Sequence, residues 1–121
     1  MAIREIDESV AGQASFDMAN LRPESTGLPF VVFISQKGGA RHDVRVKLSR
    51  APRVRLSELI TVAVRPAPRV VQGRITGAEF DLVRQWIELN ESVLVDYWNG
   101  VIEYTEDVLA ALRPVIGKPA E

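Results

Sequence analysis

The chain has 121 residues, of which 46% are hydrophobic and 26% charged, and its formal net charge is −1. This composition is typical of one globular domain and excludes a disordered chain. The absence of cysteine excludes disulfides, thiolate nucleophiles and thiolate metal sites. The longest apolar run, FVVFI, is too short for a membrane span, and the N-terminus lacks a signal-peptide pattern, so we expect a cytoplasmic protein.

The first 27 residues are acidic, with five acidic side chains against two basic ones and a local net charge of −3. They end in RPESTGLP, a cluster of turn-forming residues that indicates a boundary. No hydrophobic periodicity is sustained before it. We therefore predict an N-terminal arm over residues 1–27, loose or docked on a partner. One domain over 28–116 and a frayed tail over 117–121 follow.

Alternating hydrophobic residues predict β-strands in the middle of the chain. FVVFIS is apolar on both faces, as in a central strand. DVRVKLS places its valines and leucine on one face and Arg45 and Lys47 on the other, and ELITVAVR repeats this alternation. The glycines of QKGGARH favour a hairpin loop between the first two strands.

A further strand is predicted in RPAPRVVQGRI, whose prolines are best tolerated at a sheet edge. Two helices are predicted beyond it. Thr76 and Glu79 have the spacing of a capping box, and apolar residues at helical spacing then continue to Asn99-Gly100, which ends the helix. Thr105 begins a shorter helix. The predicted fold class is α+β: a small antiparallel sheet of three or four strands, with one long and one short helix packed on one face.

Asn90 lies within the apolar stripe of the long helix. A buried amide without hydrogen-bond partners costs about 1–3 kcal/mol. We therefore expect its side chain to bond a backbone group of the sheet or of a loop, and so to fix how the helix docks.

The near-neutral net charge conceals a split along the chain. Residues 28–76 hold ten basic side chains against two acidic ones, a local charge of +8, whereas residues 77–121 hold three against nine, a local charge of −6. In a two-layer domain Arg45 and Lys47 point away from the helices, so we expect no contact between them and the helix acids Glu88 and Glu91. The two sides of the molecule should then carry opposite charge.

Three roles are open for the basic sheet face. The first is solubility alone. The second is a border around a self-association surface, because Val31 and Phe33 share the outward face and need cover from another subunit or from the N-terminal arm. The third is binding of a polyanion such as nucleic acid, although both tryptophans lie in the acidic helix and not beside the cations. The candidate anion- or partner-binding residues are Lys37, Arg41, His42, Arg45, Lys47, Arg53 and Arg55. The candidate subunit-contact residues are Val31, Phe33 and Trp98.

Little in the sequence indicates catalysis. His42, the single histidine, precedes Asp43, but adjacent strand residues point to opposite faces, so we predict a surface histidine and not a general base. A metal site would need carboxylates alone, and no calcium-loop spacing is present. We predict no catalytic, cofactor-binding or metal-binding residue. The favoured function is a non-enzymatic protein-interaction module that forms a homo-oligomer, and the alternative is a nucleic-acid-associated protein.

Two stretches resemble a pattern that recurs in a family of small uncharacterised bacterial proteins. VFISQKGGARHDVRVKLS fits the hairpin pattern VFISxxxGxxHxxRVKxS, and IELNESVLVDYWNG fits the helix pattern IxLNxxxLxxYWNG. The resemblance extends over residues 30–115 and leaves residues 1–27 unmatched. That family has no assigned function, so the resemblance implies a shared hairpin and helix but no activity.

Overall fold

A computed structural model describes residues 18–50 and 56–115 of the chain. Its elements are β1 (Met18–Leu21), α1 (Pro23–Thr26), β2 (Val31–Ser35), β3 (Arg45–Ser49), a 3-10 turn (Leu56–Glu58), β4 (Ile60–Ala63), β5 (Arg69–Gln72), α2 (Gly77–Trp98) and α3 (Thr105–Ala111). The strands form one antiparallel sheet in the order β1-β2-β3-β4-β5. The predicted α+β class, with one long and one short helix, is confirmed, and the sheet has five strands where three or four were predicted.

The additional strand comes from the predicted N-terminal arm. β1 pairs with β2 from Met18 opposite Ser35 to Leu21 opposite Val32. Ala19 and Leu21 are buried, and two inward side chains are too few to reveal a strand by their periodicity. Residues 18–27 therefore belong to the sheet domain, which begins before the predicted boundary at residue 28. Residues 1–17 and the predicted tail at 117–121 lie outside the described residues.

Alternation along the strands separates two faces of the sheet, as predicted for β3 and β4. The inner face is buried and consists of Ala19, Leu21, Val32, Ile34, Val46, Leu48, Ile60 and Val62. Val83, Trp86 and Ile87 of α2 and Val108 of α3 pack with it in one hydrophobic core. The outer face consists of Met18, Asn20, Val31, Phe33, Ser35, Arg45, Lys47, Ser49, Thr61, Ala63, Arg69 and Gln72.

The predicted helix signals of α2 are confirmed. The Thr76 hydroxyl accepts a hydrogen bond from the Glu79 amide at 3.1 Å, and the Thr76 amide donates to Glu79 Oε1 at 3.0 Å. This capping box satisfies two amides that the first turn would leave unpaired. Past the other end, Gly100 adopts the left-handed conformation with φ of 81°. None of the helices in residues 18–50 and 56–115 combines the length and apolar character that a membrane span needs.

Asn90 holds the segment after α3 against α2. Its side chain is 1% exposed. Its Nδ2 donates to the carbonyl oxygens of Trp86 and Arg113, both at 2.9 Å, and its Oδ1 accepts from the Arg113 amide at 2.8 Å. The predicted backbone partner is confirmed, and it lies in the C-terminal segment. This segment also reaches α1, because the Val115 amide donates to the Thr26 carbonyl at 2.8 Å.

Candidate functional site

The outer face of the sheet mixes apolar and cationic side chains. Phe33 lies directly opposite Lys47 across the β2–β3 pair. Val31, Phe33, Arg45 and Lys47 are all partly exposed. The prediction that these four side chains share one outward face is therefore confirmed. Because α2 and α3 bury their apolar side chains on the inner face, they leave this surface without a helical layer.

Arg50, which follows β3, contradicts part of the predicted charge separation. Its Nη1 and Nη2 atoms contact the Glu79 carboxylate at 2.6 and 2.9 Å, so one of the ten cations of residues 28–76 pairs with a helix acid. The guanidinium also lies 5.2 Å from the centroid of the Phe30 ring. The hydrogen bonds from Arg50, together with the Thr76 amide, lower the pKa of Glu79 to about 2.

A second ion pair joins the ends of β3 and β4. Arg65 Nε and Nη2 donate to the two carboxylate oxygens of Asp43 at 2.7 and 3.0 Å. These hydrogen bonds hold the pKa of Asp43 below its usual range. His42 and Asp43 both lie in the loop before β3 and not in a strand, and His42 Nδ1 contacts the backbone oxygen of Asp43 at 2.8 Å and not its carboxylate.

Three cations of the outer face differ from Arg50 and Arg65 because they have no ion-pair partner among the described residues. Arg45, Lys47 and Arg69 make no hydrogen bond or ion pair with their side chains within residues 18–50 and 56–115. Glu88 pairs instead with Arg84 of its own helix at 3.0 Å. The expected lack of contact between the outward cations and the helix acids is thus confirmed for the described residues.

The other predicted site residues do not join this surface. Lys37, Arg41 and His42 are exposed in the loop between β2 and β3. This loop docks on the end of α2, where the Lys37 amide donates to the Trp98 carbonyl at 2.9 Å and the His42 ring centroid lies 5.5 Å from that of Trp98. Arg53 and Arg55 lie outside the described residues.

Trp98 is not an exposed subunit contact. Its side chain is 3% exposed and belongs to the hydrophobic core. The hairpin loop of the same chain covers the end of α2 at which Trp98 lies. The prediction for Trp98 is therefore wrong, and the contact that it makes is intramolecular.

Sequence reasoning missed Arg69. Arg45 is paired across the sheet with Ala63, and Ala63 with Arg69, so the three residues form one row over β3, β4 and β5. They border a cavity of about 100 Å³ whose lining is Asp43, Val44, Arg45, Ala63, Arg65, Arg69 and Val71. Only the strand register, which is a long-range property, brings these residues together.

A larger cavity of about 470 Å³ lies between α2 and the C-terminal segment. Its lining is Gln85, Leu89, Arg113, Pro114 and Val115. This lining is mainly apolar and carries neither a carboxylate nor a hydroxyl nucleophile. In the part of the chain that the structure describes, no three acidic or histidine side chains group in a way that fits a metal ion.

Comparison of the chain with protein-family models, with curated proteins and with solved structures finds no match. The resemblance to small bacterial proteins through the hairpin and helix patterns therefore remains a prediction.

Proposed function

We propose that this protein is a non-enzymatic interaction module that self-associates through the outer face of its sheet. One observation carries the proposal: Val31 and Phe33 remain partly exposed on a sheet face that neither α2 nor α3 covers. Contiguous exposed apolar side chains bordered by polar ones are typical of protein-interaction surfaces. A second copy of the chain offers an apolar strip of the same shape.

The cations limit how two copies can pack. A two-fold axis perpendicular to the strands would place Arg45 and Lys47 against the same residues of the second copy, where like charges repel. An axis parallel to β2 instead places β3 of each copy over β1 of the other. The cations then lie opposite Met18 and Asn20, and the apolar side chains of β2 meet at the centre. This arrangement also keeps the strands of the two sheets aligned, as in common sheet-on-sheet packing.

The area of the outer face determines the affinity that we expect for the dimer. Five strands about 4.8 Å apart, each with about five residues at about 3.3 Å, cover about 400 Å² per copy. Stable complexes bury about 800 Å² per partner. We therefore expect a weak dimer, with a dissociation constant of about 0.1 mM.

Sedimentation equilibrium over protein concentrations from about 10 µM to 1 mM tests this, since that range spans the expected dissociation constant. The wild type should approach twice the 13.4 kDa monomer mass at the upper end. Added salt should strengthen association, because it screens the like charges of the two faces. A monomer at every concentration and salt level would refute the proposal.

Two substitutions locate the surface. Phe33→Glu places a charge at the centre of the proposed contact and should yield a monomer. Val101→Glu is the matched control, because Val101 is 71% exposed and lies beyond α2. It should dimerise like the wild type. Circular dichroism must show that both variants are folded.

A nucleic-acid-associated role is the second candidate, favoured by the pairing of Phe33 with Lys47 on an open sheet face. A partly exposed aromatic ring beside a cation is a suitable platform for a stacked base and its phosphate. Fluorescence anisotropy of a labelled single-stranded oligonucleotide at about 50 mM salt tests this role. Binding should be lost in Arg45→Glu/Lys47→Glu, and a wild type without any anisotropy change would exclude it.

A further inference from the structure

The small cavity at one end of the outer face is lined by three arginines, two of them in strands and the third, Arg65, just after β4. Arg45 on β3 and Arg69 on β5 flank Ala63 on β4. Because their backbones are two strand spacings apart, about 10 Å, both guanidinium groups can approach one ligand between them. Ala63 carries only a methyl group, so the floor between the two arginines is low.

The charge around this cavity is not balanced. Both carboxylate oxygens of Asp43 accept hydrogen bonds from Arg65, so this pair neutralises itself. Arg45 and Arg69 have no such partner within residues 18–50 and 56–115. The four charged groups that line the cavity therefore leave a net charge of +2.

Size and shape restrict the ligand. A volume of about 100 Å³ accommodates one small polar group but not a nucleobase. Guanidinium groups bind tetrahedral phosphate oxygens in paired hydrogen bonds, and a phosphomonoester carries about two negative charges at neutral pH. A carboxylate carries only one. A phosphodiester also carries one, and its two substituents must both leave the site.

We propose that this cavity binds the phosphate group of a small phosphomonoester between Arg45 and Arg69. Arg65 stays with Asp43 and forms the side wall, while Val71, which is 40% exposed, offers apolar surface to a short ester substituent. The site lies within one copy of the chain. Arg45 also lies in the dimer contact proposed above, opposite Met18 of the second copy. Phosphate binding is therefore measured at about 20 µM protein, below the expected dissociation constant of the dimer, so that either proposal can fail without the other.

Chemical-shift titration of the isotope-labelled full chain at constant ionic strength tests the site with phenyl phosphate, inorganic phosphate and dimethyl phosphate. Phenyl phosphate and inorganic phosphate should saturate with dissociation constants in the low millimolar range and shift the amides of β3 and β5. Dimethyl phosphate, a diester, should bind at least tenfold more weakly. Equal binding of the diester would indicate a general phosphodiester contact and overturn the proposal. Titrations with phenyl phosphate or inorganic phosphate that do not saturate would also overturn it.

Charge-neutralising variants distinguish phosphate binding in this cavity from non-specific electrostatic attraction to the basic surface. Arg45→Gln/Arg69→Gln should weaken phenyl phosphate binding at least tenfold. Arg22→Gln/Arg74→Gln removes the same charge from two exposed arginines at the opposite end of the sheet and should leave binding within twofold of the wild type. An equal loss in both double variants would overturn the proposal. Unchanged melting temperatures establish that both are folded, and the single variant Arg69→Lys, which keeps the charge but not the paired donors, should bind several-fold more weakly.

Discussion

The inner and outer faces of the sheet are built from alternating residues of the same strands, yet they meet different surroundings. On β3, Val46 and Leu48 are fully buried beneath the helices, whereas Arg45 and Lys47 between them are partly exposed. The inner face has no polar side chain in β1 to β4, and the outer face gathers the cations. The inner side of each strand therefore contributes the buried contacts that stabilise the fold, and the outer side is the one to which we assign the proposed partner binding.

The cations on and around the sheet also fall into two groups, one that stabilises the fold and one that points outward. Arg50 and Arg65, at the ends of the strands, pair with Glu79 and Asp43 and thus tie elements of the fold together. Arg45, Lys47 and Arg69, within the strands, point outward without such partners among the described residues. The ten cations of residues 28–76 therefore include some that hold elements of the fold together and others whose side chains point outward without such an ion pair.

Adjacent residues of β3 provide the strongest test of this division. Leu48→Ala removes a fully buried side chain from the inner face and should lower the free energy of unfolding by about 3 kcal/mol. Lys47→Ala, on the outer face, should change it by about 0.5 kcal/mol or less. Urea denaturation measures both. Similar losses in the two variants would show that the outer face is as much a part of the core as the inner one.

The helical layer over the inner face depends on Asn90. Asn90→Ala should lower the free energy of unfolding by about 2 kcal/mol, because the backbone amide and carbonyl of Arg113 lose their partner in a partly buried position. Glu91→Ala, an exposed neighbour on the same helix, is the control and should be nearly neutral. Hydrogen exchange should locate the loss: faster exchange of the Arg113 amide is expected, and its absence would contradict a docking role for Asn90.

The smallest effect concerns the Arg50–Glu79 pair and depends on pH. The pKa of Glu79 is lowered to about 2, so the pair contributes stability above the ordinary carboxyl value of 4.5, and this contribution is lost as the pH falls toward 2. Glu79→Gln should therefore melt below the wild type at pH 7, and the two melting temperatures should converge near pH 2. Thermal unfolding between pH 2 and 7 measures this. Glu103→Gln, an exposed carboxyl outside any ion pair of the described residues, should keep a constant difference from the wild type.

The predictable parts of the fold are those encoded within a few residues. The alternation of DVRVKLS was enough to predict the face of each β3 side chain, and the three-residue spacing of Thr76 and Glu79 was enough to predict the start of α2. β1 escaped prediction because Ala19 and Leu21 are its only inward residues. Val31 and Phe33 were predicted to share a face with Arg45 and Lys47, because a strand with apolar residues on both faces must present some of them outward.

The sequence by itself determined the α+β class, the face on which each β3 side chain lies and the ends of the long helix, because these depend on local backbone geometry and periodicity. Tertiary structure alone decided that Trp98 is covered by the hairpin loop, that Arg50 pairs with Glu79, and that Arg69 joins Arg45 across Ala63. Each of these contacts joins residues that are distant along the chain. Their proximity depends on strand register and on how the loops return over the helix, and neither leaves a local pattern in the sequence.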